Sequence, residues 1–204
     1  MITEKKNVNG IYDIIANDFS RTRYSVWNSV ENFIKSFPKE TLFLEIGCGN
    51  GKNMLLRADY FTGCDLCGKF IKICKEKKLN VLQSCATHLP FKDNMFDATL
   101  SVAVIHHLIT YERRVKAISE QIRVTNVGGK LFIEVWGFEN NNRVVNNNQD
   151  SIVPWKYNGN IYNRYYHFFK REELINITNH FKNVKIEKIY KEKFNWIVIL
   201  KKYK

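Results

Sequence analysis

The stretch Leu42-Phe43-Leu44-Glu45-Ile46-Gly47-Cys48-Gly49-Asn50-Gly51-Lys52 constrains this chain more than any other. An apolar run with a single acid ends in glycines at alternate positions, which reads as a buried strand breaking into a sharp turn. The glycines let the main chain bend tightly and approach a ligand closely. A helix is expected over 51–58, offering unpaired amides and a positive dipole end to the turn. The order G-x-G-x-G differs from the dinucleotide fingerprint G-x-G-x-x-G, and no G-x-x-x-x-G-K-[ST] occurs, which excludes a P-loop. Glu45, two residues ahead of the first glycine, would repel a pyrophosphate and suits a cationic, amino-bearing ligand.

A second acid, Asp65, closes the run Tyr60-Phe61-Thr62-Gly63-Cys64-Asp65. An acid ending the second strand, about 20 residues after the first, is the ribose-binding arrangement of α/β nucleotide folds. Its carboxylate can accept both ribose hydroxyls, or it can cap a helix starting near Lys69. S-adenosylmethionine (SAM) is a cationic nucleoside that fits both acids, and the pattern resembles motif I of class I methyltransferases. That resemblance assigns Glu45, Gly47, Cys48, Gly49, Asn50, Gly51, Asp65, Leu66, Cys85, Ala86 and Val102 to the cofactor.

Periodicity orders the rest. Helices are expected at 9–20 and 25–37, then strand 42–46, helix 51–58, strand 60–64, helix 69–77, strand 80–84, strand 96–103, helix 110–124 and strand 130–136. Residues 137–164 are polar and asparagine-rich and read as a mobile loop. A helix at 171–180 and an antiparallel pair at 184–190 and 195–201 complete the chain. The expected fold is α/β and Rossmann-like: a mostly parallel seven-stranded sheet with a C-terminal antiparallel strand and N-terminal lid helices. One domain is expected at 204 residues, divided into a lid (1–38), a SAM-binding core (39–136), the loop and a sheet-completing segment (165–204).

The net charge of +12 and pI near 9.5 point to a polyanionic partner, or to lysines scattered on solvated faces. Five cysteines form no paired framework and suit a reducing compartment. Cys64-x-x-Cys67 has the spacing of half a zinc site, no second pair completes it, and no metal is expected. The start shows no apolar signal region, and no apolar run reaches membrane-spanning length. A cytoplasmic or nuclear protein with no membrane partner is expected.

Four clusters lie outside the core motif. They are Ile14-Ile15-Ala16 with Phe19-Ser20-x-Thr22-Arg23-Tyr24-x-x-Trp27; Ala103-Val104-Ile105-His106-His107 with Thr110-x-Glu112-Arg113-Arg114; Gln149-Asp150-x-x-Val153-Pro154-Trp155; and Arg164-Tyr165-Tyr166-His167 with Asn195-Trp196. In this order they resemble the eukaryotic tRNA carboxymethyluridine methyltransferases, from about residue 9 onward. The resemblance implies esterification of a wobble-uridine carboxylate in the anticodon loop, 5-carboxymethyluridine to 5-methoxycarbonylmethyluridine, and a heterodimer with a small zinc-binding activator protein. The exposed edge of strand 80–84, at Val81-Leu82, is where that activator would dock. Two departures stand out. Cys85 replaces an aspartate that accepts the adenine amino group, leaving the Ala86 backbone or His88 to take the contact, and Leu108 replaces an aromatic.

A carboxylic acid with pKa near 4 is ionised at neutral pH, so the reaction needs orientation and desolvation rather than a base. His106 and His107 follow strand four at the carboxyl edge, one to face substrate and one the protein. Arg23 reaches the SAM carboxylate or the substrate, and Trp136 walls the methyl site or packs in the core. Arg21 is expected on RNA, and Arg113 on phosphate or in solvent. Arg164, Tyr165, Tyr166 and His167 interleave cations and aromatics, which suits an unstacked base beside phosphates or a packed strand start. Asn195 and Trp196 are read as uracil contacts or as packing. On the core motif alone, a small-molecule O- or N-methyltransferase and a SAM-binding scaffold subunit also fit.

Overall fold

The computed structural model describes residues 3–139 and 147–204. In chain order the elements are α1 (Gly10–Thr22), α2 (Asn28–Lys35), β1 (Phe43–Ile46), β2 (Phe61–Asp65), α3 (Gly68–Glu76), β3 (Val81–Gln83), β4 (Phe96–Val102), α4 (Tyr111–Val124), β5 (Thr125–Trp136), β6 (Asp150–Tyr157), β7 (Asn160–His167), α5 (Arg171–Asn179), β8 (Val184–Glu192) and β9 (Asn195–Lys202).

All four residues of β1 are buried, as its near-continuous apolar sequence requires of a strand covered on both faces. It pairs in parallel with β2 on one side and β4 on the other. The sheet runs β3-β2-β1-β4-β5-β9-β8, with β9 antiparallel to both its neighbours. The order reverses between β1 and β4, so a crevice opens at their carboxyl ends, where ligands of such sheets bind.

One face of the sheet packs Ile118, Ile122, Leu174 and Ile177 of α4 and α5 onto Leu131, Ile133, Val198 and Leu200. The other packs Val30, Phe33 and Ile34 of α2 onto Phe43, Phe61, Phe132 and Ile197. α2, expected in the lid, is therefore a core helix. Phe43 and Phe61 stack at 4.7 Å across β1 and β2.

Two expectations fail. No helix follows the glycine turn; 3-10 turns at Met54–Leu56 and Ala58–Tyr60 take its place. The reason lies in side chains that bind elsewhere: Asn53 donates to Glu45, and the Arg57 guanidinium donates to the carbonyls of Phe37 and Pro38. The expected loop at 137–164 contains instead most of an antiparallel hairpin, β6 with β7. It turns at Asn158 and Gly159, both at positive φ (47° and 73°), the conformation that Asn-Gly favours in two-residue hairpins. The asparagines at 140–142 and 146 lie outside the described residues.

At the far end of the sheet, Lys202 is only 7% exposed. Its ammonium donates to the carbonyls of Ile122 and Thr125 and to Asn94 Oδ1, each at 2.8 Å. It thus caps the carboxyl end of α4, where a cation is favoured. Lys202→Met strands these acceptors and is expected to cost about 3 kcal/mol, lowering the melting temperature by about 6–12 °C in a thermal scan.

Candidate active site

A cavity of about 370 Å³ occupies the crevice. Its floor is the turn after β1, Asp65 at the end of β2, the segment after β3, and, at the end of β4 and beyond it, Val102 to Val104 with His106 to Leu108. Its roof is α1 (Tyr12, Phe19), Arg23, Trp27 and the β6–β7 hairpin (Trp155, Arg164, Tyr166). Lid and floor are tied by Asn50, whose amide donates to the carbonyls of Ser20 and Arg23.

Gly47 sits at φ +70°, and a Cβ there would drive into the side chain of Val104, so only glycine lets β1 meet the β4 loop. Three successive amides of the turn are engaged. Gly47 and Cys48 donate to the Cys64 carbonyl, and Gly49 donates to Asp65 Oδ2 at 2.9 Å. Only 3-10 turns follow it, so the turn lacks the α-helix N-terminus on which a pyrophosphate sits in dinucleotide folds.

What the floor presents is negative. Glu45 is 1% exposed. Asn53 serves its Oε1, while Oε2 is buried without a hydrogen-bond partner. Burial pushes its carboxyl up to about 8, against the Asn53 hydrogen bond. Asp65 Oδ1 accepts from the Cys67 amide at 2.8 Å, and removal from water raises this acid to about 6. A buried acid with an unused oxygen calls for a cationic partner. A sulfonium amino acid fits that floor; Glu45 and Asp65 would hold its charged and sugar parts.

The opposite wall presents a positive charge. Arg164 is 4% exposed, and its Nε is buried without a partner. Nη1 donates to the Tyr166 hydroxyl at 2.8 Å and to the Tyr12 hydroxyl at 3.4 Å. The guanidinium lies over Trp155, Tyr166 and Tyr12 at 4.8, 5.2 and 6.0 Å. Among the described residues no carboxylate pairs with it. Such a charge costs several kcal/mol to bury alone and fits an incoming anion bidentately.

Both histidines line the cavity, and they differ in what their ring nitrogens bind. His107 Nδ1 donates to the Tyr165 carbonyl at 2.9 Å, so its bare Nε2 accepts from the Tyr12 hydroxyl at 3.0 Å. Both its nitrogens are thus used to orient Tyr12 beneath Arg164. His106 Nδ1 accepts the Trp136 amide at 3.3 Å, which assigns its proton to Nε2 and leaves that donor for the cavity. Burial holds His107 down to about 3 and His106 well below the usual imidazole range, helped by the neighbouring His107 and Arg164. Both rings are neutral donors at pH 7. Trp136 stacks on Tyr166 at 4.4 Å beside them.

The structure therefore brings His106, His107, Arg23 and Trp136 to the cavity, with Glu45, Gly47, Cys48, Gly49, Asn50, Asp65, Leu66, Cys85, Ala86, Val102, Arg164 and Tyr166. It leaves others outside. Gly51 backs onto Leu79 and Cys74. Arg21 pairs with Asp18 at the surface, and Arg113 pairs with Glu4. Tyr165 and His167 turn behind the hairpin to Asp150, at 2.6 and 2.7 Å, because alternate strand residues face opposite ways. Asn195 donates to Glu134, and Trp196 to Glu139, at the far side of β5. His88 is exposed, bonded to Thr87, and does not replace the missing aspartate. Tyr12, Asn53 and Trp155 were not singled out as site residues; only Tyr12 and Trp155 carry a signal, as aromatics within the N-terminal helix and beside the Val153-Pro154 pair.

Comparison with known proteins agrees with this geometry. Residues 44–133 match the family model described as "Methyltransferase domain". The tRNA (carboxymethyluridine(34)-5-O)-methyltransferase of Schizosaccharomyces pombe is 35% identical over 98% of this chain and 97% of its own length. The chain belongs to this family. The enzyme of the same description from Arabidopsis thaliana is 45% identical over 67% of this chain, and that from Xenopus tropicalis 32% identical over 98%. The chain spans 34% and 41% of those two relatives. A solved SAM-dependent methyltransferase from Methanosarcina mazei shares the fold, with TM-score 0.72 and 18% identity over 88% of this chain and 99% of that one. A chain from the solved complex of the Haloferax volcanii Trm112 methyltransferase activator superposes with TM-score 0.69 at 12% identity, over 97% of this chain and 98% of that one. The fold is that of class I SAM-dependent methyltransferases.

Proposed function

We propose that this chain transfers a methyl group from SAM to the carboxylate of 5-carboxymethyluridine at the wobble position of tRNA. The observation that carries this reading is a pair of buried ionisable side chains in one cavity, each with an unpartnered polar atom: Glu45 Oε2 in the floor and Arg164 Nε in the roof. The acid suits a sulfonium amino acid, and the guanidinium suits a carboxylate acceptor. SAM, when bound, supplies an activated methyl group. The acceptor is already ionised, so the protein's work is to strip it of water and hold it. Arg164 forks the carboxylate, its guanidinium held among three aromatic rings. His106 adds a neutral Nε2–H donor. Tyr12 and Tyr166 fix the guanidinium, and His107 fixes Tyr12. No general base is required, and neither imidazole takes a proton from the acceptor.

The +12 net charge supports a nucleic-acid partner, and Lys185, Lys188 and Lys193 are exposed along β8 and its turn. The outer edge of β3, which among the described residues pairs only with β2, suits strand addition by a zinc-binding activator. The test is a labelled-methyl assay on tRNA bearing carboxymethyluridine, with and without co-expressed activator, followed by nucleoside mass spectrometry. The methyl ester of carboxymethyluridine is the expected product. Label on small acids or amines with none on tRNA would refute the reading, and co-expression yielding no complex on size exclusion would refute the partner.

A further inference from the structure

The cavity lacks a strong acceptor at one end. Cys85 lines it beside Ser84, Ala86 and Leu108, and a thiol is a weak acceptor. Its Sγ lies 3.2 Å from Thr87 Oγ1 and 3.9 Å from Arg113 Nη2. The same guanidinium donates from Nε to Glu4 Oε1 at 2.8 Å. One arginine therefore bridges both residues, with the Glu4 carboxyl and the Cys85 thiol on one guanidinium. Glu4 lines the cavity; its Oε1 also receives the Ile109 amide at 3.0 Å. Both contacts fall on Oε1, which fixes the group and leaves Oε2 as the acceptor. Arg113 offers only donors and cannot serve an amine.

We propose that Glu4, carried on the segment ahead of α1, accepts the exocyclic amino group of the adenine base in place of a carboxylate at position 85. This rests on the reading of the cavity as a SAM site. The segment is then part of the cofactor pocket, held over it by the Glu4–Arg113 pair and by Asn7, whose amide reaches the Asn163 carbonyl at 3.5 Å.

Calorimetry with S-adenosylhomocysteine, and with its analogue carrying unsubstituted purine in place of adenine, tests this without any turnover. Glu4→Ala is expected to weaken the adenine ligand about 10–100-fold, as for a lost hydrogen bond to a charged acceptor. The purine analogue should bind the variant and the native chain alike. Cys85→Asp, added to Glu4→Ala, should recover most of the adenine affinity. Adenine affinity unchanged within about twofold in Glu4→Ala overturns the assignment. So does an equal loss for both ligands, which would mean that Glu4 only anchors the segment. A native chain that binds neither ligand would instead refute the cofactor reading beneath it.

Discussion

Arg164→Met is expected to lower kcat/KM on carboxymethyluridine-containing tRNA by about 1,000-fold and to raise the melting temperature. The two effects share one cause. The guanidinium is buried against Tyr12, Tyr166 and Trp155 with no carboxylate beside it. Hydrogen bonds to charged groups contribute about 1.5–3 kcal/mol each, and a forked pair of them at about 1.4 kcal/mol per decade accounts for the loss. Removing an unpaired buried charge in favour of an apolar chain of similar length stabilises by about 1–4 kcal/mol, or a rise of several degrees in a protein of this size. Arg164→Lys keeps the charge without the fork and should fall between the two. Steady-state kinetics and a thermal scan on the same samples decide the matter. A destabilised Arg164→Met with proportionate loss of activity would mean that the arginine is scaffolding and that the acceptor is held elsewhere.

Glu45→Gln is expected to weaken SAM binding about 100-fold at pH 8 and to remove its dependence on pH between 7 and 8, above the range of Asp65. The sign follows from burial. In the ligand-free cavity the carboxyl is held up at about 8, against an ordinary 4.5. A cationic ligand favours the ionised form, so binding expels a proton below about pH 8. Affinity should therefore rise from pH 6 to 8 and level off above. Asp65, held at about 6, acts in the same direction lower in the range. For the ligand-free protein, the native state keeps protons that the unfolded chain has released between about pH 4.5 and 8. Its stability consequently falls as pH rises through that window. Glu134, raised to about 7 by burial, adds to the slope. The comparison is calorimetric, at pH 6, 7 and 8 in buffers of different ionisation enthalpy. A native affinity flat with pH would show that Glu45 does not meet the cation.

The sheet was legible because its signals are local: β1 and β2 are apolar runs stopped by glycines and an acid, and their order is dictated by short connections. The missing helix after Gly51 was not legible. Lys52 to Arg57 have fair helix propensity, but Asn53 and Arg57 are claimed by Glu45 and the Phe37–Pro38 carbonyls, contacts that no local pattern encodes. The hairpin did carry a signal, Asn158-Gly159, obscured by the polar composition around it and by Pro154, which a two-stranded ribbon tolerates because each strand is an edge. In the site, Glu45 and His106 could be found from position alone. Residues of β7 could be listed but not sorted: period-two alternation sends Arg164 and Tyr166 inward and Tyr165 and His167 outward, and only the pairing register sets which set faces the cavity.

The bonds that close the roof join residues far apart in the chain: Tyr12 with His107 across 95 positions, Asp18 with Trp155 across 137, Tyr12 with Arg164 across 152. Contacts of such separation form late. A nascent chain still tethered at the ribosome can assemble β1 to β5 and hold an open cleft, yet it cannot enclose a ligand until the hairpin has emerged. Competence to bind should thus arrive only once the hairpin at 150–167 has been made, after β1 to β5.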